Sequence, residues 1–278
     1  MNGSGPAGDG GPERARTPGS LIVSFAGSYL REIGGWISVG DLITLLAAAD
    51  IGEPAVRQAL VRLKSRGFLE SEKRGTVAGY RLTADGLKDL ERGDRRIFRR
   101  GEADPDAGWV LAVFSVPENA RAQRHRLRAQ LGWLGFGTVS SGVWVAPGSL
   151  ADLAREMLAE ADLGQYVTWF TGHHLGEVDV ASWWDLAELA VSYQEFLRVW
   201  RSRAASADPL GPAEAFGRYL PLVDGWRLFP RLDPGLPARV LPTDWPGREA
   251  WEVFDTLHRR WYVLGREFVE ATVAHQPQ

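Results

Sequence analysis

The chain has no cysteine. That one absence excludes disulfides, thiolate metal sites and cysteine nucleophiles together. No apolar run approaches the ~18 residues that a membrane helix needs. The first residues carry no apolar signal-peptide core, so a cytoplasmic protein without a membrane partner is expected. No P-loop or dinucleotide fingerprint is present, and no cofactor is expected. Thr138, Ser140, Ser141 and Ser149 offer hydroxyls, but none sits in a G-x-S-x-G nucleophile elbow. Strong net charge is missing as well. The formal value is only −3 over 278 residues, so the chain as a whole is no general polyanion binder.

The charge that is present is unevenly placed. Residues 20–100 hold 14 Lys+Arg against 10 Asp+Glu, whereas residues 101–278 hold 16 against 23. A basic front and an acidic rear predict separate tasks, with polyanion contact in front. The length suits two or three domains with ample core.

The front is organised around residues 38–83. Ser38 is an N-cap residue, with Asp41 at the third helical position as in a capping box. Leu42, Leu45, Leu46 and Ala49 then mark one buried helical face. Asp50-Ile51-Gly52-Glu53 is a turn, and Pro54 suits the first turn of a second helix. Val56, Leu60 and Leu63 face the first helix. Arg57, Gln58, Val61, Arg62 and Ser65 fall elsewhere and can face outward. Gly67 ends the helix, and residues 68–71 and 80–83 read as strands joined by a loop that Lys73-Arg74-Gly75 opens. This is the order of a winged helix-turn-helix. Its second helix would enter the major groove of duplex DNA, and its basic loop would lie on phosphates.

By geometry, Arg57, Gln58 and Arg62 are candidates for reading base edges. Arg bonds guanine O6 and N7 together, and Gln does the same at adenine N6 and N7. Lys64, Arg66, Lys73, Arg74 and Arg81 are placed for phosphates, which position a protein without reading sequence.

Around this segment, residues 1–19 are rich in Gly and Pro and are expected to be a disordered tail. Ser20 is expected to cap a helix through Leu21, Ile22, Phe25, Tyr29 and Leu30, and Trp36-Ile37 to form a short strand against the wing. Thr83 caps a further helix. Arg95, Arg96, Arg99 and Arg100 crowd its end, as solvated cations that offset the helix dipole or as added phosphate contacts. Residues 109–171 read β-α-β-β-α-β, the order of a ferredoxin-like domain. From about Ser182 the chain is mainly helical. Its apolar spacing begins at Trp183, and it ends in a helix from Arg248 to about Val273. A proline-rich passage, LFPRLDPGLPARVLPTDWPG, interrupts it and cannot be a regular helix or a central strand.

These pieces resemble the PaaX-type transcriptional regulators over roughly residues 20–272. GDLITLLAAADIGEPAVRQALVRLKSRGFLE with YRLTADG carries the resemblance in front, and RLFPRLDPGLPARVLPTDWPGREAWEVFDTLH carries it in the rear. The resemblance implies an α+β multidomain protein. A winged helix-turn-helix (20–100) would be followed by a ferredoxin-like, Cas2-like domain (101–180) and a mainly helical domain (181–278) for effector binding and dimerisation. It also implies a homodimeric repressor of a catabolic operon, bound to palindromic operator DNA and released by an aryl-CoA thioester such as phenylacetyl-CoA. It names no effector-binding residue here.

Eleven of the twelve tryptophans follow residue 100, a density that suits either an aromatic pocket or core and interface packing. Arg201, Arg203, Arg227, Arg231, Arg239 and Arg248 could meet effector phosphates. A Cas2-like shape invites a nuclease reading, but Ser115 stands near the place of the metal-holding aspartate, and a serine replaces a carboxylate poorly. His173-His174 with Glu177 and Asp179 could be read as ligands, yet adjacent histidines on a strand point to opposite faces. No enzyme and no metal site is therefore expected. An architectural DNA-binding protein without effector is the remaining alternative.

Overall fold

The computed structural model describes residues 17–97, 108–176, 178–206 and 208–274. Among the described residues the fold is mixed α/β, with two antiparallel sheets. The chain divides into two compact units. Among the described residues, one contains those within 17–95, 192–227 and 247–274, and the other contains those within 96–191 and 228–246.

The first unit opens with α1 (Pro18–Phe25), which continues as a π-helical turn through Leu30. Its cap is Thr17, whose side chain accepts from the Ser20 amide, not Ser20 as expected. The Thr-Pro pair is the start signal: the proline stands at the first helical position, where no amide is needed. β1 (Trp36–Ser38) leads into α2 (Val39–Ala47). Ser38 caps α2 by accepting from the Asp41 amide at 2.9 Å, and its hydroxyl meets the Asp41 carboxylate at 2.7 Å. Asp50, at φ 60°, turns the chain into α3 (Glu53–Ser65). β2 (Leu69–Arg74) and β3 (Val77–Leu82) form a hairpin that continues into β1, in the order β1-β3-β2. The expected strand of Trp36 and Ile37 is thus present. Lys73 and Arg74 are not loop residues: they pair with Ala78 and Val77, and the tip is Gly75-Thr76. Thr83 caps α4 (Ala84–Ile97) by accepting from the Gly86 amide at 2.9 Å. The side chains of Arg95 and Arg96, and residues Arg99 and Arg100, lie outside the described residues, as do residues 1–16 of the expected tail.

The same unit is completed by distant chain. The later part of α7 (Leu186–Ala205), α8 (Pro212–Trp226) and α10 (Gly247–Val273) pack into it. Phe216, Tyr219, Leu220, Phe254 and Trp261 are buried with Leu21, Phe25 and Tyr29 of the front. Each such side chain is worth about 1.5–3 kcal/mol when withdrawn from water. Gly217 of α8 lies against the α2–α3 turn: a Cβ built there would stand 1.9 Å from the Ala48 carbonyl oxygen. Asp224 accepts from the Ser20 and Ser24 hydroxyls at 3.0 and 3.1 Å, and Arg227 donates to Ser24 at 3.1 Å.

A polar aromatic cluster continues that contact. The Tyr29 and Tyr262 rings stack at 5.3 Å. Tyr29 donates to the Tyr262 carbonyl, and Tyr262 donates to Glu32 at 2.5 Å. Tyr219 Oη meets His258 Nδ1 at 3.1 Å. Burial, and then the hydrogen bond to Glu32, push the Tyr262 phenol up to about 12. Burial holds His258 below the ordinary imidazole value.

The second unit is built on β4 (Trp109–Phe114), β5 (Gly137–Ser140), β6 (Val143–Pro147) and β7 (Val167–Gly172), in the order β5-β6-β4-β7. α5 (Arg121–Trp133) and α6 (Ala151–Glu160) cover one face through Leu127, Leu131, Ala154 and Leu158. Alternation along β4 sends Val110, Ala112 and Phe114 to that face and Trp109 to the other, where Trp183, Trp184 and Leu236 meet it. Trp183 therefore precedes helix α7 rather than opening its stripe, because the indole packs against the sheet. Within the proline-rich passage there is one turn of helix, α9 (Phe229–Leu232), and a 3-10 turn at Ala238–Val240.

Candidate nucleic-acid interface

The residues expected to touch DNA come from α3 and the β2–β3 hairpin. α3 has the amphipathic split its sequence implies. Val56, Ala59, Leu60 and Leu63 are buried, and the opposite side is open. Along a helical wheel, Pro54, Gln58, Val61 and Ser65 run down the centre of the open side. Arg57 and Lys64 flank that line on one side, and Arg62 and the C-cap residue Arg66 flank it on the other. All eight are exposed.

Their electrostatic states differ. Arg57 is held by Glu53 one turn earlier, at 2.7 Å, with both side chains more than half exposed. Such an exposed pair is worth only about 0.3–0.5 kcal/mol, so the guanidinium is easily released. Gln58, Arg62, Lys64 and Arg66 make no side-chain ion pair or hydrogen bond among the described residues.

On the hairpin, strand alternation separates the cations. Glu70, Glu72, Arg74 and Arg81 share one face, and Lys73 points to the other. Arg81 bonds Glu70 at 2.5 Å and Glu72 at 2.7 Å. Arg74 bonds Glu72 at 3.0 Å and lies over the buried Trp36 ring at 4.7 Å. Trp36 itself rests on Gly79, where a Cβ would come within 2.4 Å of the indole. Lys73 is exposed and pairs with no carboxylate among the described residues. Thus Arg62, Lys64 and Arg66 of α3 present unneutralised cations together with Lys73, whereas Arg57 is paired with Glu53 and Arg74 and Arg81 are compensated inside the hairpin. Sequence reasoning missed that compensation, although the alternation of Glu70, Glu72 and Arg74 signals it. It also gave no role to the outward Val61.

Other candidate groups are placed elsewhere. Ser115 follows β4, exposed, its amide bonded to the Tyr166 carbonyl. His174 lies beside Trp109, ring centres 6.4 Å apart, and Glu177 lies outside the described residues. Among the described residues no three His, Asp or Glu side chains gather as a metal site. Arg201 pairs with Glu249 and Arg248 with Glu252. Arg227 is engaged with Ser24 and Asp224. Arg239 stands in the 3-10 turn of the second unit, and the Arg231 side chain lies outside the described residues. Arg203 joins Arg218 and Arg260 around a cavity of about 240 Å3 between α7, α8 and α10. Trp200, Trp226 and Trp261 fill the core of the first unit.

Comparison with known proteins divides the chain into three consecutive matched segments, the last of which runs through both compact units. Residues 17–86 match the family description "PaaX-like protein", residues 102–182 match "PaaX protein central Cas2-like domain", and residues 184–271 match "PaaX-like protein C-terminal domain". The chain is 30% identical over 253 residues to the transcriptional repressor PaaX of Escherichia coli K12, covering 87% of this chain and 79% of that one. A solved structure, the uncharacterized protein Rv0674 from Mycobacterium tuberculosis, is similar at a TM-score of 0.60 and 26% identity, over 91% of this chain and 99% of that one. Identity sustained through three consecutive matched segments makes this chain a member of the PaaX family.

Proposed function

We propose that this protein is a cytoplasmic, sequence-specific DNA-binding transcriptional repressor, a regulator and not an enzyme. The observation that carries the reading is the open face of α3, where Arg62, Lys64 and Arg66 have no side-chain partner among the described residues and Arg57 has only the exposed Glu53. That arrangement supports a winged helix-turn-helix whose α3 enters the major groove. Gln58 and Arg62 are the base-reading candidates with free side chains, and Arg57 joins them once released from Glu53. Lys64, Arg66 and Lys73 take phosphates, and Arg74 and Arg81 contribute less. Relatedness to a transcriptional repressor supports the same conclusion. The strand order β5-β6-β4-β7 supports a ferredoxin-like centre, and two copies would present two α3 helices to a palindromic site.

The effector reading rests on a second observation. Arg203, Arg218 and Arg260 line a cavity whose wall also includes Trp261 and the acidic Asp208; Arg218 pairs with Glu214, and Arg203 and Arg260 donate to backbone carbonyls, so a ligand would have to compete with these partners. Its volume, about 240 Å3, is below the ~300 Å3 at which pockets hold a drug-sized ligand whole. It would take an anionic part of an acyl-CoA thioester, with the remainder outside. α8, which forms one wall, also rests on the α2–α3 turn, so such a ligand would act one helix away from the reading helix.

The test is binding to the DNA upstream of the protein's own gene, at two salt concentrations, with and without phenylacetyl-CoA. Specific binding that the thioester releases is expected. Specific binding indifferent to it would leave a DNA-binding protein with another effector or none. Equal affinity for upstream and random DNA would overturn the repressor reading.

A further inference from the structure

We propose that Val61 is a specificity-determining contact that takes the 5-methyl group of a thymine in the major groove, next to an adenine read by Gln58. The inference rests on the DNA-binding reading above and adds to it a residue and a base.

The argument starts from an unfavourable placement. Val61 is 63% exposed, whereas the other large apolar residues of α3, Val56, Leu60 and Leu63, are at most 6% exposed. Its β-branch makes it a poorer helix former than Ala, Lys or Arg, so nothing in the helix itself favours it there. It does not belong to the packing face.

Its surroundings select the kind of occupant. Arg57 and Lys64 lie to one side and Arg62 and Arg66 to the other, so an apolar protein surface docked on Val61 would have to cover cations on both flanks. A polyanion with an apolar group between its two charged rails matches the pattern. The major groove is that surface: phosphates line both edges, and the thymine methyl is the apolar feature of its floor. The line Pro54–Val61–Ser65 is also short-chained. It lets the helix axis approach the floor while the longer side chains reach outward to the backbones.

The spacing identifies the neighbour. Gln58 and Val61 are three residues apart, about 4.5 Å along the axis. That is about one and a third base steps of ~3.4 Å, nearer to one step than to two. Gln58 reading adenine N6 and N7 therefore sets Val61 over the adjoining pair.

The experiment first selects binding sites for the full chain from a random duplex library. Each thymine of the enriched site is then replaced by deoxyuridine, which removes only the methyl group. At one thymine, wild type is expected to lose about fourfold in affinity, the cost of one unburied methyl. The Val61→Ser variant should show no further loss there and an unchanged melting temperature. Uracil tolerated at every position, or a variant as sensitive as wild type, overturns the role of Val61 while leaving DNA binding intact. A library with no enriched sequence overturns DNA reading altogether, and this contact with it.

Discussion

Gly217 and Ala48 touch through their backbones, and a methyl group at position 217 would lie 1.9 Å from the Ala48 carbonyl oxygen. The helix that closes the core of the first unit is thus registered on the turn that aims α3. Gly217→Ala is expected to lower stability by about 1–3 kcal/mol, since neither partner is a flexible side-chain end. Gly225, in the same helix, has nothing within 4 Å of its Cβ position, so Gly225→Ala should be neutral or stabilising by up to about 1 kcal/mol. Denaturant unfolding of the two variants provides the comparison, and equal effects would refute the close approach.

Arg62→Ala and Lys73→Ala should fail in different ways. Loss of Arg62 is expected to cost about 1–3 kcal/mol on the specific site and much less on random DNA. Loss of Lys73 should weaken both and reduce the slope of log affinity against log salt by about 0.9. Arg81→Ala should change that slope less, because Glu70 and Glu72 already balance its charge. Binding isotherms at four salt concentrations separate the three.

Glu53→Gln should tighten DNA binding. It removes an acid from the face of α3 and frees Arg57, while the lost pair costs the helix only about 0.3–0.5 kcal/mol. A variant that binds no better than wild type would place Arg57 outside the contact.

His258 predicts a pH dependence of stability. Burial lowers its folded-state pKa, opposed by Asp255 and aided by Arg259. The unfolded chain therefore binds the proton more readily, and stability rises with pH through this group. Its contribution is full above the ordinary value of about 6.5 and is lost as pH falls below it toward the folded-state value. Melting temperature measured from pH 7.5 to 5.5 should fall more steeply for wild type than for His258→Asn.

Much of this was legible in the sequence because local rules decided it. Ser38, Gly67 and Thr83 mark element ends by capping chemistry, and the apolar spacing of α2 and α3 gives their buried faces. The strands of the second unit follow from period and turn residues. What was not legible depends on partners far along the chain. Ser20 looks like a cap, but its hydroxyl serves Asp224, 204 residues away. Trp183 has helical spacing, yet the sheet face of Trp109 captures it before the helix starts. Arg74 and Arg81 read as open cations until the register of β2 on β3 puts Glu70 and Glu72 beside them. The open line of α3 needed only a helical wheel, but an outward valine becomes informative only once the neighbouring apolar residues are seen to be buried.

The union of the first and last thirds of the chain has a consequence during synthesis. Tyr29 finds its acceptor at Tyr262, 233 residues later. At about 5–20 residues per second, the ribosome needs roughly ten to fifty seconds to deliver it. Through that interval Phe25 and Tyr29 have no α8 or α10 to cover them, and the turn that aims α3 has no Gly217 to rest against. The front segment emerges first and is finished last, so a nascent or truncated chain carries α3 without the core that holds it in place.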